Sequence, residues 1–205
     1  MRLHKNKRQL QAELTKQRIL QTATQLFDQY GFDNVSIEDI AQEADCSVGG
    51  IYHYFSSKDE IAAHAITAYD DSTKLYFDEK VGENAANGLS GLEKLKEFMV
   101  YTHNICIKSG TLNHLFSLKL HHKDHHSLSL FDNQNYTKTL RNLIVQCRND
   151  GYISDCHSDD EVFHLLTLAT RGLFADWLFK KGTADEFDMD KLTRSFVDVI
   201  FSGLK

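Results

Sequence analysis

Apolar residues recur along this chain at intervals of three and four, without the sustained alternation that marks half-buried strands. Ile19, Leu20, Ala23, Leu26 and Phe27 form the first such stripe, and Gly31 follows it as a helix-closing residue. The spacing predicts a helix over 15–30. Ser36 stands three residues before Asp39, a capping-box spacing, and Ile37, Ile40, Ala41 and Ala44 then share one face. Asp45-Cys46-Ser47 reads as a turn, with Ser47 capping a short helix in which Val48 and Ile51 point inward and Phe55 closes the core. Ser57 and Glu60 repeat the capping-box spacing, so a longer helix is expected from Lys58 to about Lys80. Later stripes predict helices near 92–108, 112–122, 128–149, 159–181 and 190–204, separated by glycine-bearing turns. With no proline in the chain, the expectation is an all-α fold. Residues 1–60 read as an N-terminal arm plus a three-helix module, and 61–205 as a larger helical domain.

Composition narrows the class. A hydrophobic content of 41% over 205 residues suffices for a buried core. No run approaches the ~18 apolar residues of a membrane span, and the basic N-terminus lacks the apolar segment of a secretion signal. A cytoplasmic protein with no membrane partner is expected. Cys46, Cys106, Cys147 and Cys156 lack any CxxC pairing, which favours reduced thiols. The net charge of −6 argues against a general nucleic-acid coat. Yet residues 1–18 hold six Lys and Arg residues against the single acid Glu13. Such an arm either follows phosphates and the minor groove or merely solubilises the terminus.

The stretch from Ser36 to Glu60 has the parts that place a helix in the major groove. Ser47, Gly49, Tyr52, His53 and Tyr54 are left facing outward once the core positions are assigned. Gly49 and Gly50 each cost a helix roughly 1 kcal/mol against alanine, which makes sense where the backbone must approach a phosphate or base edge. Lys58 opposes the dipole of the helix it opens, unless an anion binds there. Ser36, Ser47, Tyr52, Tyr54 and Lys58 are therefore expected on phosphates, and Val48, Gly49, Gly50 and His53 against bases. No glycine-rich phosphate loop after a strand, GxSxG or HExxH is present, so enzyme chemistry is not indicated.

These residues resemble the DNA-binding domain of the TetR (tetracycline-repressor) family from about Lys16 to Ala63. The resemblance is carried by Arg18-Ile19-Leu20, Ala23, Leu26-Phe27, Tyr30-Gly31-Phe32, Val35-Ser36-Ile37, Ile40-Ala41, Ala44, Ser47, Gly49, Ile51-Tyr52, Tyr54-Phe55, Lys58 and Glu60. The family often has threonine where Ser36 stands, and serine keeps the hydroxyl. The resemblance implies a homodimeric repressor on a palindromic operator of double-stranded DNA, released by a small-molecule effector, with no cofactor required. It also implies an effector cavity among the central helices. The aromatic and mixed-polarity residues there are Phe98, Tyr101, Thr102, Ile105, Phe116, Leu120, Tyr136, Leu140, Thr167, Arg171 and Phe174. Arg171, a charge in an apolar helix, needs either an acidic side chain or an anionic ligand.

Helix 159–181 is apolar nearly all round, so it must be covered on two sides. A partner subunit is the simple second cover, with a buried single-chain core as the competing explanation. The dimer face is expected at Leu168, Gly172, Ala175, Phe179, Phe196 and Ile200, making a four-helix interface. His121, His122, His125 and His126 form two i,i+4 pairs that suit a metal on a continuous helix. A metal-sensing regulator of the same architecture is the alternative reading; a surface whose charge varies near pH 6.5 is the plainer one.

Overall fold

The computed structural model describes residues 7–80, 88–114, 134–180 and 188–205. The described residues form helices and turns without strands. Among the described residues, eight α-helices have both ends defined: α1 (Lys7–Tyr30), α2 (Ile37–Glu43), α3 (Val48–Tyr54), α4 (Lys58–Lys80), α5 (Gly91–Lys108), α6 (Gln134–Asn149), α7 (Asp159–Phe179) and α8 (Met189–Ser202). Helix α1 begins eight residues earlier than the apolar stripe suggests, so Lys7 and Arg8 belong to a helix and not to a loose arm. Nothing apolar had to be buried to extend it: Leu10 and Leu14 remain half exposed. The helix expected from about 112 is under way over 110–114, whereas its continuation and the start near 128 fall in 115–133, outside the described residues.

Local chemistry sets the helix ends. Gly31 adopts φ +82 after α1, a conformation in which other residues are strained. Ser36 and Asp39 close a reciprocal capping box on α2, and Ser90/Glu93 and Ser158/Glu161 do the same for α5 and α7. Asp70 of α4 caps α6 from outside, accepting from the Asn135 and Tyr136 amides at 3.1 and 2.9 Å. At α4 the expected box is shared between two serines. The Glu60 amide donates to Ser57 Oγ, while the Glu60 carboxylate accepts from Ser56 N and Oγ, both at 2.6 Å.

Two main apolar clusters follow. The first joins Ile19, Ala23 and Phe27 of α1 to Ile40, Ile51 and Phe55, and continues into Ile61 and Ala62 of α4. A boundary at residue 60 therefore cuts through this core, and α4 belongs to both halves. The second cluster packs Leu95, Phe98 and Met99 of α5 against Leu140, Leu143 and Ile144 of α6, Val162 and Leu166 of α7, and Val197 and Phe201 of α8.

His103 lies inside the larger half, 1% exposed, with Nδ1 2.8 Å from Thr193 Oγ1 and Nε2 3.2 Å from Thr170 Oγ1. Burial pushes its pKa down to about 3, so the folded state holds a neutral ring. The unfolded chain binds a proton below about 6.5 and the native chain does not. Stability is thus lost as pH falls from about 6.5 toward 3. By pH 5 the loss should be about 2 kcal/mol. His103→Gln, which keeps hydrogen-bonding capacity without titrating, should flatten that slope in urea unfolding measured from pH 4.5 to 7. An unchanged slope would assign the acid sensitivity to other groups.

Candidate nucleic-acid interface

Helix α3 is short and held from below. Ile51 and Phe55 are buried, and Val48 packs on the same cluster half-buried. Ser47 caps the helix by accepting from the Gly50 amide at 3.0 Å. This fixes which residues face away. Gly49 and His53 are exposed, and Tyr52 keeps 53% of its surface. Tyr54 is half-buried against the core, its ring edge-on to His53 at 5.0 Å. A Cβ built on Gly49 meets no atom within 4 Å, whereas one on Gly50 would come within 3.2 Å of Ser47 Oγ. Within the fold, then, Gly50 serves the cap, and Gly49 has no packing reason to be glycine.

Two expected phosphate ligands are otherwise engaged. Lys58 Nζ donates to the carbonyls of Phe32 and Val35, both at 2.8 Å, and sits 4.1 Å from the centre of the Phe32 ring. Its ammonium offsets the carbonyls of the α1–α2 connection, a role the sequence pattern did not reveal. Ser36 Oγ donates to Asp39 at 2.6 Å within its capping box, so that hydroxyl is also taken. Positive charge near α3 comes instead from α1. Lys16 lies 5.3 Å from the Phe55 ring centre, and Arg18 reaches the Asp45 carbonyl at 3.5 Å. Lys58→Met, which keeps the stem, should cost about 2–4 kcal/mol by leaving two carbonyls without their charged donor. Urea unfolding checks this. A variant as stable as wild type would return Lys58 to the role of a free cation.

The residues expected around an effector separate into several environments. Phe98 and Leu140 are buried in the second cluster. Thr102 and Thr167 bond carbonyls of their own helices. Phe174 packs with Met189, Cys106 and Trp177. Tyr136 is buried against Phe98, ring centres 5.4 Å apart. Arg171 is exposed, contrary to a buried charge, although its field still reaches the Tyr136 phenol. Tyr101 and Ile105 do line a cleft of about 440 Å³ between α4 and α5, where Tyr101 stacks on Tyr76. Phe116 and Leu120 lie outside the described residues. The sequence reading missed His103, Thr170 and Thr193, because threonine at helical spacing carries no signal of a buried polar contact.

On α7, the expected dimer face is largely open. Leu165, Leu168 and Phe179 are 44%, 60% and 79% exposed, and a Cβ on Gly172 meets nothing within 4 Å. Ala175 is half-buried. The single-chain core therefore covers only the opposite side of α7. On α8, Phe196 and Ile200 are half-buried against the second cluster, and Leu192 and Val199 are exposed apolar residues. His121, His122, His125 and His126 lie outside the described residues. Among the described residues, no group of three or more His, Cys, Asp or Glu is placed to hold a metal ion.

Residues 19–65 match the family model for bacterial regulatory proteins of the tetR family. The chain is 30% identical over 97 residues to the probable HTH-type transcriptional regulator YttP of Bacillus subtilis, covering 44% of each chain. That match spans less than half the relative's length. Across almost the whole chain, the fold is similar to the fatty acid degradation regulator FadR of Bacillus halodurans (TM-score 0.68, 18% identity, 93% and 96% of the two chains). It is equally similar to FadR of Bacillus subtilis in complex with stearoyl-CoA (TM-score 0.68, 16% identity, 92% and 99%).

Proposed function

Because the chain belongs to the tetR family of bacterial regulatory proteins, we propose that it is a homodimeric repressor whose hold on a palindromic operator is released by a small-molecule effector. The observation that carries this reading is the outward face of α3. There Gly49, Tyr52 and His53 are exposed on a helix anchored by Ile51 and Phe55. A rigid short helix presenting backbone and aromatic groups suits the major groove, and a symmetric pair of them suits two half-sites one helical turn apart. Val48, Gly49, Gly50 and His53 remain assigned to bases, and Tyr52 and Tyr54 to phosphates, with Lys16 and Arg18 replacing Lys58 as the nearby cations. Stearoyl-CoA on the FadR fold neighbour supports an effector-responsive second domain. Effector binding would favour a dimer state whose α3 helices no longer match the half-site spacing.

Gly49→Ala separates folding from function. Alanine should stabilise the fold by roughly 0.5–1 kcal/mol, since space is open around it and helix propensity rises. The same methyl should weaken retention of the protein's own upstream DNA in an electrophoretic shift by about tenfold, roughly 1.4 kcal/mol. Tighter or unchanged retention would remove α3 from the groove. No shift of upstream DNA by wild-type protein would sink the regulator reading altogether.

A further inference from the structure

A second cleft, of about 420 Å³, lies between α4, α5 and α6. Its charge runs against the acidic chain: Lys74, Lys94 and Lys138 face it, with Asp78 the one acid among its lining residues. Asp78 is paired with Lys74 on the same helix. Neither Lys94 nor Lys138 forms an ion pair among the described residues. Two uncompensated ammonium groups held on adjacent helices repel each other and favour any anion that fits between them.

Hydrogen-bonding side chains complete the lining. Thr139, Asn142 and Gln146 stand on α6 beside Lys138, while the Asn135 amide is already donated to Asp71 at 3.1 Å. The inner wall is apolar: Leu143 is fully buried, and Phe77 meets Phe98 edge-on at 5.4 Å. The volume falls in the range of small-molecule sites, about 300–1,000 Å³, and is far too confined for duplex DNA. Lysines act as point charges toward phosphate and do not need the planar fork that arginine offers a carboxylate. Lys74 belongs to α4, whose first turn carries Lys58 and the junction with the DNA-binding module. A ligand bridging Lys74, Lys94 and Lys138 would therefore tie α4 to α5 and α6.

We infer that this cleft takes the phosphorylated end of the effector, a diphosphate-bearing ligand; only in calling that ligand an effector does this rest on the regulator reading. The test is calorimetric titration of the full-length protein with ADP, adenosine and inorganic pyrophosphate at one ionic strength. ADP should bind at least about tenfold more tightly than adenosine, and Lys94→Ala with Lys138→Ala should weaken ADP by at least about tenfold. Lys94→Arg with Lys138→Arg should stay within about threefold of wild type, because the charge is kept. Helical circular dichroism and the upstream-DNA shift should be unchanged in both double variants. Pyrophosphate binding like ADP would mean that phosphates alone are recognised; ADP binding without pyrophosphate would add a contact to the nucleoside, and both support the site. Equal affinity for ADP and adenosine, or an alanine variant that binds ADP like wild type, would overturn it. So would the absence of ADP binding up to about 1 mM, roughly 4 kcal/mol of affinity. Failure of the upstream-DNA shift with these titrations intact would overturn the regulator reading alone.

Discussion

Gly172→Glu is expected to leave each chain folded while abolishing both the dimer and operator binding. The structure makes this a cleaner test than a change at half-buried Ala175. A side chain at Gly172 meets no atom of its own chain within 4 Å, so the monomer has no reason to resist it. Leu165, Leu168 and Phe179 flank it at helical spacing, and a charge placed among them would be buried without a partner if two α7 helices met there. The magnitudes indicate how much surface is needed. Three large side chains per subunit, at ~1.5–3 kcal/mol each, contribute at most on the order of 9–18 kcal/mol across a pair. Association costs an estimated ~4–15 kcal/mol, so α7 alone is marginal. Val199 (71% exposed) and Leu192 (39%) on α8 would supply the further apolar surface that a permanent dimer needs. Once the subunits separate, one half-site must hold alone, and a loss of about 10²–10⁴ in operator affinity follows from lost bivalency. Sedimentation equilibrium and a gel shift read the two effects together. A Gly172→Glu protein that still sediments as a wild-type dimer would move the interface off this face.

How much of this was legible in the sequence depended on whether a residue's partner is local. The caps at Ser36, Ser47, Ser90 and Ser158 are made three residues away, and the first two were legible, Ser36 from its spacing to Asp39 and Ser47 from the turn it ends. The inward set of α3 was equally legible, because a seven-residue helix leaves few ways to bury Ile51. Lys58 was misread for the opposite reason. Its partners are the carbonyls of Phe32 and Val35, more than twenty residues back, and backbone carbonyls leave no mark in a sequence. The start of α1 was misplaced because Lys7 to Leu14 form a helix without burying an apolar stripe. Phe196 and Ile200 are half-buried against the second cluster, and in a sequence an apolar residue looks alike whether its neighbour is its own chain or another subunit. Gly110 falls in one of the glycine-bearing turns of the sequence, and only the packing reveals why no larger residue fits.

Gly110→Ala is expected to be among the most damaging single-methyl changes in the chain. A Cβ there would stand 2.2 Å from the Phe27 carbonyl oxygen and 3.1 Å from its carbon, and both are backbone atoms of the last turn of α1. No rotamer change relieves that contact, so either α1 or the 109–114 segment must move. What would be displaced is a joint between the two halves. Asp28 on α1 accepts from Tyr69 Oη at 2.6 Å, from Ser109 Oγ at 2.9 Å, and from Thr111 N and Oγ1 at 3.3 Å. Burial, with Asp28 as hydrogen-bond acceptor, holds the Tyr69 phenol well above its ordinary pKa, so it remains a donor. A few residues on, His114 stacks on Phe32 at 3.4 Å and meets Asp59 at 3.1 Å. Forcing this segment away should cost about 3 kcal/mol, which lowers the melting temperature by roughly 6–12 °C for a chain of this size. Gly49→Ala, the same substitution in open space, should move stability the other way. Calorimetry of the two variants side by side decides the matter. A Gly110→Ala protein melting within about 1 °C of wild type, against roughly 2–4 °C per kcal/mol, would mean that the joint yields without resistance and does not fix the DNA-binding module on the larger domain.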